Sequence, residues 1–257
     1  MSSGIDPTSD RPAYLQIADQ LRAAINAGEL AAGVQLPSER ELMDTYRAAR
    51  GTVRQAVATL RGQGLIDVEH GRGAFVRSRP PVRRLAHDRF ARRHRQAGQA
   101  AYLAELEAEG RRPEVEVLEV GPGPAPAEIA QRLDLAEGDR VLVQRRRYLA
   151  DGRPMELATS YLPWDLVAGT AMVEKNTGPG GIYARLEEAG HRLRRFTEDV
   201  RARMPLPEEA RALRLPPGVP VFVLVRTAYD QDGRPVEVCD TTMAADQYVL
   251  SYELPAR

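Results

Sequence analysis

The 257-residue sequence predicts an α+β chain of two domains: a small helical unit closed by a β-hairpin, then a larger antiparallel sheet flanked by helices. Three observations predict it. Apolar residues recur at helical spacing up to about Gly64 and then alternate from Leu65 to Arg77. The run Tyr148–Glu156 returns as Tyr229–Glu237, so the second half contains an internal repeat. Charge is partitioned: residues 1–95 carry a net +6 and residues 96–257 a net −6, which cancel. The expected boundaries are 10–78 for the first domain, 79–95 for a linker and 96–257 for the second domain.

The first helix follows from Tyr14, Leu15, Ile17, Ala18, Leu21 and Ile25, with Pro12 where a first turn tolerates proline and Gly28 as the stop. Gly33 and Pro37 punctuate the loop that follows. Ser38 with Glu41 three residues later forms a capping-box pattern and starts a short helix reaching about Tyr46. A second short helix runs from about Gly51 to Gln63, with Val53, Ala56, Val57 and Leu60 inward and Arg50, Thr52, Arg54 and Gln55 left for its first turn or outer face. Gly64 ends it. Leu65–Glu69 alternates as a strand, His70–Gly73 is a turn, and Ala74–Arg77 returns as a second strand. Two short helices joined by a tight turn and followed by a basic, glycine-rich hairpin make a helix-turn-helix with a wing.

That order of elements has a chemical reading. A helix fits the major groove, where arginine chelates guanine O6 and N7 through two parallel bonds. Arg50 and Arg54 are four residues apart and share a face. Between Arg47 and Arg95 there are 13 arginines against Asp67, Glu69 and Asp88, a basic balance suited to phosphate. His70 and Arg72 at a narrow tip are placed for the minor groove or a phosphate, and Gly71 and Gly73 let the backbone come close.

The run PAYLQIADQLRAAINAGEL…LPSERELMDTY…RGTVRQAVATLRGQGLI…HGRGAFV resembles the DNA-binding domain of the GntR family of bacterial regulators over about residues 11–77. The resemblance implies a homodimer on a short inverted repeat of double-stranded DNA, contacted by Arg40, Arg50, Thr52, Arg54, His70 and Gly71, with Arg72 at the wing tip. Where the family has Val-Ser or Val-Thr before the arginine, this chain has Ala48-Ala49. The lost capping hydroxyl costs about 1 kcal/mol locally.

Beyond it, Ser78–Arg84 with Pro80 and Pro81 reads as an extended hinge, and the arginine-rich stretch to Arg95 as a solvated connector. In the second domain each repeat copy reads helix, turn, strand, Asp-Gly turn, strand, and two such units are expected to pair into one antiparallel sheet. Asp151-Gly152 and Asp232-Gly233 are turn residues. Glu156 and Glu237, at identical offsets after the turns, need a further explanation, as does Arg145-Arg146-Arg147. In a strand Arg145 and Arg147 share one face and Arg146 takes the other. On an inner face the first two need acids or an anion: Glu156 and Glu237, or a bound ligand. The loop Asn176–Gly181, leading into a helix to about Ala189, is a second anion-site candidate, a plain helix cap being the alternative.

Leu149-Ala-Asp-Gly-Arg-Pro-Met155, Ser160–Pro163, Ile182-Tyr183 and Gly233-Arg-Pro-Val-Glu237 with Asp246 and Tyr248 resemble the UTRA ligand-binding domain of the HutC subfamily over nearly all of 96–250. The resemblance implies a small-molecule effector held by Arg145, Arg147, Tyr183 and Glu237, and Glu156 joins these candidates. Ala101-Tyr102, Gly181-Ile182, Ala158 and Met243-Ala244 depart from the sugar-phosphate sensors of that group. Two phosphate-gripping hydroxyls are absent, which points to a larger or less anionic effector.

These readings combine into a DNA-binding transcriptional repressor released from its operator by a small molecule. A constitutive repressor whose second domain only dimerises stays open as an alternative. An enzyme is disfavoured: HExxH, CxxC and G-x-S-x-G are absent, and Arg145 and Arg147 would keep Glu156 and Glu237 ionised. No cofactor or metal is expected. The single cysteine, Cys239, excludes an internal disulfide, no apolar run approaches the ~18 residues of a membrane span, and the N-terminus lacks a signal-peptide pattern. A cytoplasmic location is expected, without a membrane partner.

Overall fold

The computed structural model describes residues 4–69, 71–77, 82–85 and 101–253. The chain divides into two compact units, one of Met1–Pro80 with Leu215–Val219, the other of Pro81–Arg214 and Pro220–Arg257.

In the N-terminal unit α1 is Ala13–Asn26, α2 Glu39–Tyr46 and α3 Arg50–Gly62. The predicted capping box at the start of α2 is present: the Glu41 backbone N–H donates to Ser38 Oγ, and the Glu41 carboxylate accepts from the Ser38 backbone N–H at 2.7 Å. Arg47 ends α2 in the left-handed region at φ 48°, an uncommon conformation for a residue with a Cβ. The chain then turns within Ala48-Ala49 into α3, whose N-cap Ala49 makes no side-chain cap bond. Ile17, Leu21, Leu42, Tyr46, Val53, Ala56 and Leu60 form one buried core. Strand β1, Ile66–Glu69, pairs antiparallel with β2, Gly73–Val76, and adds Ile66 and Val76 to that core. The wing is tied back to the unit by Gln35, whose Nε2 donates to Arg72 O at 2.7 Å. Gly73 is needed beneath it: its φ is 116°, and a Cβ there would lie 2.5 Å from Gln35 Nε2.

The C-terminal unit is built on a six-stranded antiparallel sheet. Its strands are β4 (Pro113–Pro124), β5 (Arg140–Ala150), β6 (Arg153–Pro163), β7 (Leu193–Arg203), β8 (Val221–Asp230) and β9 (Pro235–Ala244), in the order β4-β5-β6-β9-β8-β7. The two repeat copies are the hairpins β5-β6 and β8-β9. They meet at the β6–β9 ladder, with Ala158 opposite Thr241 near its middle, so a pseudo-two-fold axis passes through the sheet centre. The helices preceding the hairpins are α5 (Ala127–Arg132) and α8 (Pro207–Ala212). Each crosses to the other copy, α5 onto β9 and α8 onto β6. The copies are thereby interlocked, as expected of units too small to bury a face alone.

The opposite face carries α6 (Trp164–Val167) and α7 (Gly181–Glu188), whose Leu166, Val167, Ile182 and Leu186 share a core with Leu142, Leu162, Met172 and Val236. Helix α4 (Ala101–Ala108) buries Tyr102 and Leu106 against Met155, Met243 and Tyr248.

One segment departs from the sequence reading. Val82–Leu85, read as part of an extended linker, is a strand, β3, pairing in parallel with β10 (Tyr248–Ser251). Arg84 is buried within this unit, and its Nη2 donates to Glu198 on β7 at 2.6 Å. The arginine-rich stretch 86–95 lies outside the described residues, as does His70.

Candidate nucleic-acid interface and cation-lined cavity

Helix α3 separates its residues cleanly. Val53, Ala56 and Leu60 are completely buried, while Arg50 and Arg54 keep side-chain exposures of 72% and 68%. Burying one face fixes the rotation of the helix, so the other face must present its arginines. Thr52 is half-buried, and Arg40, Gly71 and Arg72 are exposed. The Arg72 guanidinium stands 5.6 Å from the Phe75 ring centre, and Gly71 takes φ 75° at the wing tip.

Arg50 and Arg54 are drawn to one acid. Arg50 Nε donates to Glu39 Oε2 at 2.9 Å, and Arg54 Nε lies 3.8 Å from Glu39 Oε1. Glu39 sits at the start of α2 and was not among the sequence candidates. Its position inside a capping sequence made it read as part of a helix start.

In the C-terminal unit a cavity of about 380 Å³ is lined by Tyr102 and Leu103 of α4, Val115 and Val117 of β4, Arg146 and Tyr148 of β5, and the loop Lys175–Gly181 that enters α7. Two cations, two phenols and a glycine-rich backbone thus converge over an apolar floor. The Tyr102 and Tyr148 rings meet edge to face with centres 4.8 Å apart.

The arginines proposed from sequence stand elsewhere. Strand alternation turns Arg145 and Arg147 to the face opposite Arg146. Arg145 pairs with Glu119 at 3.2 Å and Arg147 donates from Nε to Glu116 at 2.7 Å, both acids on the neighbouring strand β4. The Arg147 Nη1 also donates to Ala212 O at 3.3 Å, capping the end of α8. Their partners are therefore Glu116 and Glu119, in place of Glu156 and Glu237.

The two repeat glutamates are both 2% exposed. Glu237 accepts from Tyr183 Oη at 2.6 Å, and Glu156 from Tyr248 Oη at 3.1 Å. Arg226 Nε donates to Tyr183 Oη at 2.8 Å, and an Arg226 terminal nitrogen lies 3.7 Å from Glu237. Burial raises the Tyr183 phenol well above its ordinary pKa, so it stays protonated and able to donate. Glu156, Tyr183 and Glu237 lie outside the cavity lining, whereas the Asn176–Gly181 loop forms part of it. Arg146, Lys175, Tyr102 and Tyr148 were missed as candidates. Alternation distinguishes two faces of β5 but does not say which one carries the hollow.

Among the described residues no helix is long and apolar enough to cross a membrane, and no His/Cys/Asp/Glu group is arranged to hold a metal ion.

The three-helix unit with its wing and outward arginines defines a winged helix-turn-helix DNA-binding protein carrying a second, antiparallel-sheet domain. Comparison with known proteins gives the same division. Residues 13–76 match the model of the bacterial regulatory proteins of the gntR family, and residues 108–249 that of the UTRA domain. The chain is 36% identical over 252 residues to the HTH-type transcriptional regulator Rv0792c of Mycobacterium tuberculosis, covering 95% of this chain and 86% of that protein. It is 28% identical over 247 residues to the HTH-type transcriptional repressor NagR of Bacillus subtilis, covering 96% of each. A solved GntR-family regulator superposes with a TM-score of 0.63 at 30% identity, covering 96% of this chain and 99% of that one. PhnF of Mycobacterium smegmatis superposes at 0.60 with 24% identity, over 94% and 100% of the two chains, a likeness of fold. The chain belongs to the GntR family, in its UTRA-bearing HutC subfamily, and is a DNA-binding transcriptional regulator.

Proposed function

We propose that the protein is a cytoplasmic repressor that binds an inverted-repeat operator as a homodimer and is released by a small anionic effector with an apolar body. The observation that carries the DNA half is the division of α3 into a fully buried face and one presenting Arg50 and Arg54. In this reading Arg50 and Arg54 read bases, and Arg40, Thr52, His70, Gly71 and Arg72 position the backbone. NagR, a relative over nearly its whole length, is named a repressor, which supports the direction of control.

The effector half rests on the cavity. Arg146 and Lys175 suit a carboxylate or phosphate, and Leu103, Val115 and Val117 suit a hydrocarbon or ring. The Gly178 and Gly181 N–H groups already donate within the loop, to Asn176 Oδ1 and Gly178 O. Ligand binding shifts the protein between two states only by its different affinity for them, so the effector must fit the released state better. The chain works without cofactor and without turning over its ligand. The domains run over 10–78 and 96–257, with residues 82–85 assigned to the second.

Fluorescence anisotropy tests the reading. Operator DNA selected from the protein's own upstream region or from a random pool is titrated with the full chain and with Arg54→Ala. Specific binding weakened by about 1–3 kcal/mol in the variant supports base reading by α3. Binding that ignores the substitution and vanishes with salt refutes it. The complex then serves to screen anionic compounds for release. Compounds that bind without releasing DNA would leave the second domain a dimerisation module.

A further inference from the structure

We infer that Glu39 is a specificity-determining residue: it holds the Arg50 guanidinium in the orientation that reads guanine. The inference rests on the reading of α3 as the base-contacting helix. Glu39 engages Arg50 through Nε, at 2.9 Å. A carboxylate on the Nε edge takes the side of the guanidinium and leaves its end, one N–H from each terminal nitrogen, directed away as the fork that matches guanine O6 and N7. The second carboxylate oxygen lies 3.8 Å from Arg54 Nε, so one acid is shared by both arginines of the exposed face.

In the first turn of α2 this carboxylate complements the positive end of the helix dipole, a modest contribution at an exposed position. The pair is too exposed, at 72% and 42% of the two side chains, to contribute much stability. It subtracts a positive charge from the surface that meets phosphate, which weakens generic DNA affinity. Helix capping does not require it, because Ser38 and Glu41 already close the start of α2. What the acid does provide is geometry: a long, rotatable arginine fixed at its Nε approaches the groove with its fork set, and a wrong base meets donors that cannot swing to another acceptor.

The test uses the full chain and an operator selected from random DNA, with every single-base-pair variant of one half-site measured by anisotropy. Wild type is compared with Glu39→Met, Glu39→Ala, Arg50→Ala and the Glu39→Ala/Arg50→Ala double variant. Thermal melts check folding, and Glu39→Met, of similar size and helix propensity, decides if Glu39→Ala is unstable. Both Glu39 variants are expected to lose about tenfold in discrimination at the guanine that Arg50→Ala also relaxes. They should bind mixed-sequence DNA as tightly as wild type or more so. The double variant should discriminate no worse than Arg50→Ala alone, because coupled residues are non-additive. Wild-type discrimination in Glu39→Met, which has no oxygen acceptor for Arg50 Nε, or changes at base pairs that Arg50→Ala leaves untouched, would overturn the inference while leaving the reading of α3 intact. If Arg50→Ala itself altered no base preference, the reading of α3 would fall and the inference with it.

Discussion

Tyr183 donates its phenolic proton to Glu237 at 2.6 Å, and across the pseudo-two-fold axis Tyr248 does the same for Glu156 at 3.1 Å. The glutamates occupy equivalent positions in the two repeat copies, whereas the tyrosines come from α7 and β10, outside the repeated run. Duplication thus placed a carboxylate twice in the middle of the sheet, and each copy is served by a phenol from a different element. A buried carboxylate without such a donor would cost several kcal/mol.

Tyr183→Phe should therefore destabilise the C-terminal unit. It leaves the Glu237 oxygen and the Arg226 Nε–H without the hydroxyl that joins them, a loss of about 1–3 kcal/mol. Glu237→Leu leaves the 7%-exposed Arg226 beside no carboxylate at that position, and a loss of about 3–5 kcal/mol is expected. Urea unfolding followed by a probe in the sheet domain measures both. Equal, small losses would show that solvent enters the site and replaces the missing partners.

The cavity predicts a contrast between neighbouring arginines. Arg146→Ala should weaken the binding of an anionic effector by about tenfold or more, since a charge-assisted hydrogen bond is worth ~1.5–3 kcal/mol. Arg145→Ala, which breaks the exposed pair with Glu119, should leave affinity unchanged. Calorimetric titration of a screened ligand into the two variants distinguishes them. The opposite order would place the ligand on the helix-covered face of α5 and α8.

Legibility followed the range of each signal. The capping box at Ser38 and Glu41, the helical spacing of Val53, Ala56 and Leu60, and the alternation around His70–Gly73 are local, and the DNA-binding unit could be read from them. The Asp-Gly turns announced the paired hairpins for the same reason. The parallel pairing of Val82–Leu85 with Tyr248–Ser251 joins opposite ends of the unit through residues that carry no turn or period in common. The partners of Arg145 and Arg147 were equally hidden, because β4 lacks the repeat that drew attention to Glu156 and Glu237. Nothing in Tyr46-Arg47-Ala48 announces a left-handed arginine, and Glu39 was masked by the helix start around it.

Acid should act in opposite directions on two neighbouring carboxylates. Hydrogen bonds from Arg203 are the leading favourable influence on Glu209 and hold its pKa below the ordinary carboxylate value. Its contribution to stability is complete above the unfolded-state pKa and is lost as pH falls through the lower folded value. Burial raises the pKa of Asp240, with nearby Glu128 adding to the shift. Its ionised form therefore opposes folding above the folded pKa, and protonation relieves that penalty as pH falls towards the unfolded value. Glu209→Gln should flatten the acid loss of stability. Asp240→Asn should stabilise at neutral pH and lose that advantage under acid. Urea midpoints from pH 3 to 7 check both signs, and a parallel response of the two variants would contradict this assignment.

Ala49 offers a gain in stability. It is the N-cap of α3, with φ −66° and ψ 150°, and it makes no side-chain bond to the first turn. Those dihedrals suit a capping serine, whose Oγ accepts from an N–H two or three residues on. Ala49→Ser should therefore stabilise the N-terminal unit by about 1 kcal/mol, within the ~0.5–2 kcal/mol range for such caps. The rotation of α3 is set by Val53, Ala56 and Leu60, all fully buried, so the arginine face should not turn. DNA discrimination is then expected to match wild type while the melting of this unit rises. A serine that stabilised the fold but reduced affinity would show that the open N–H groups at the start of α3 contact the phosphate backbone, and that alanine at this position serves binding at the expense of stability.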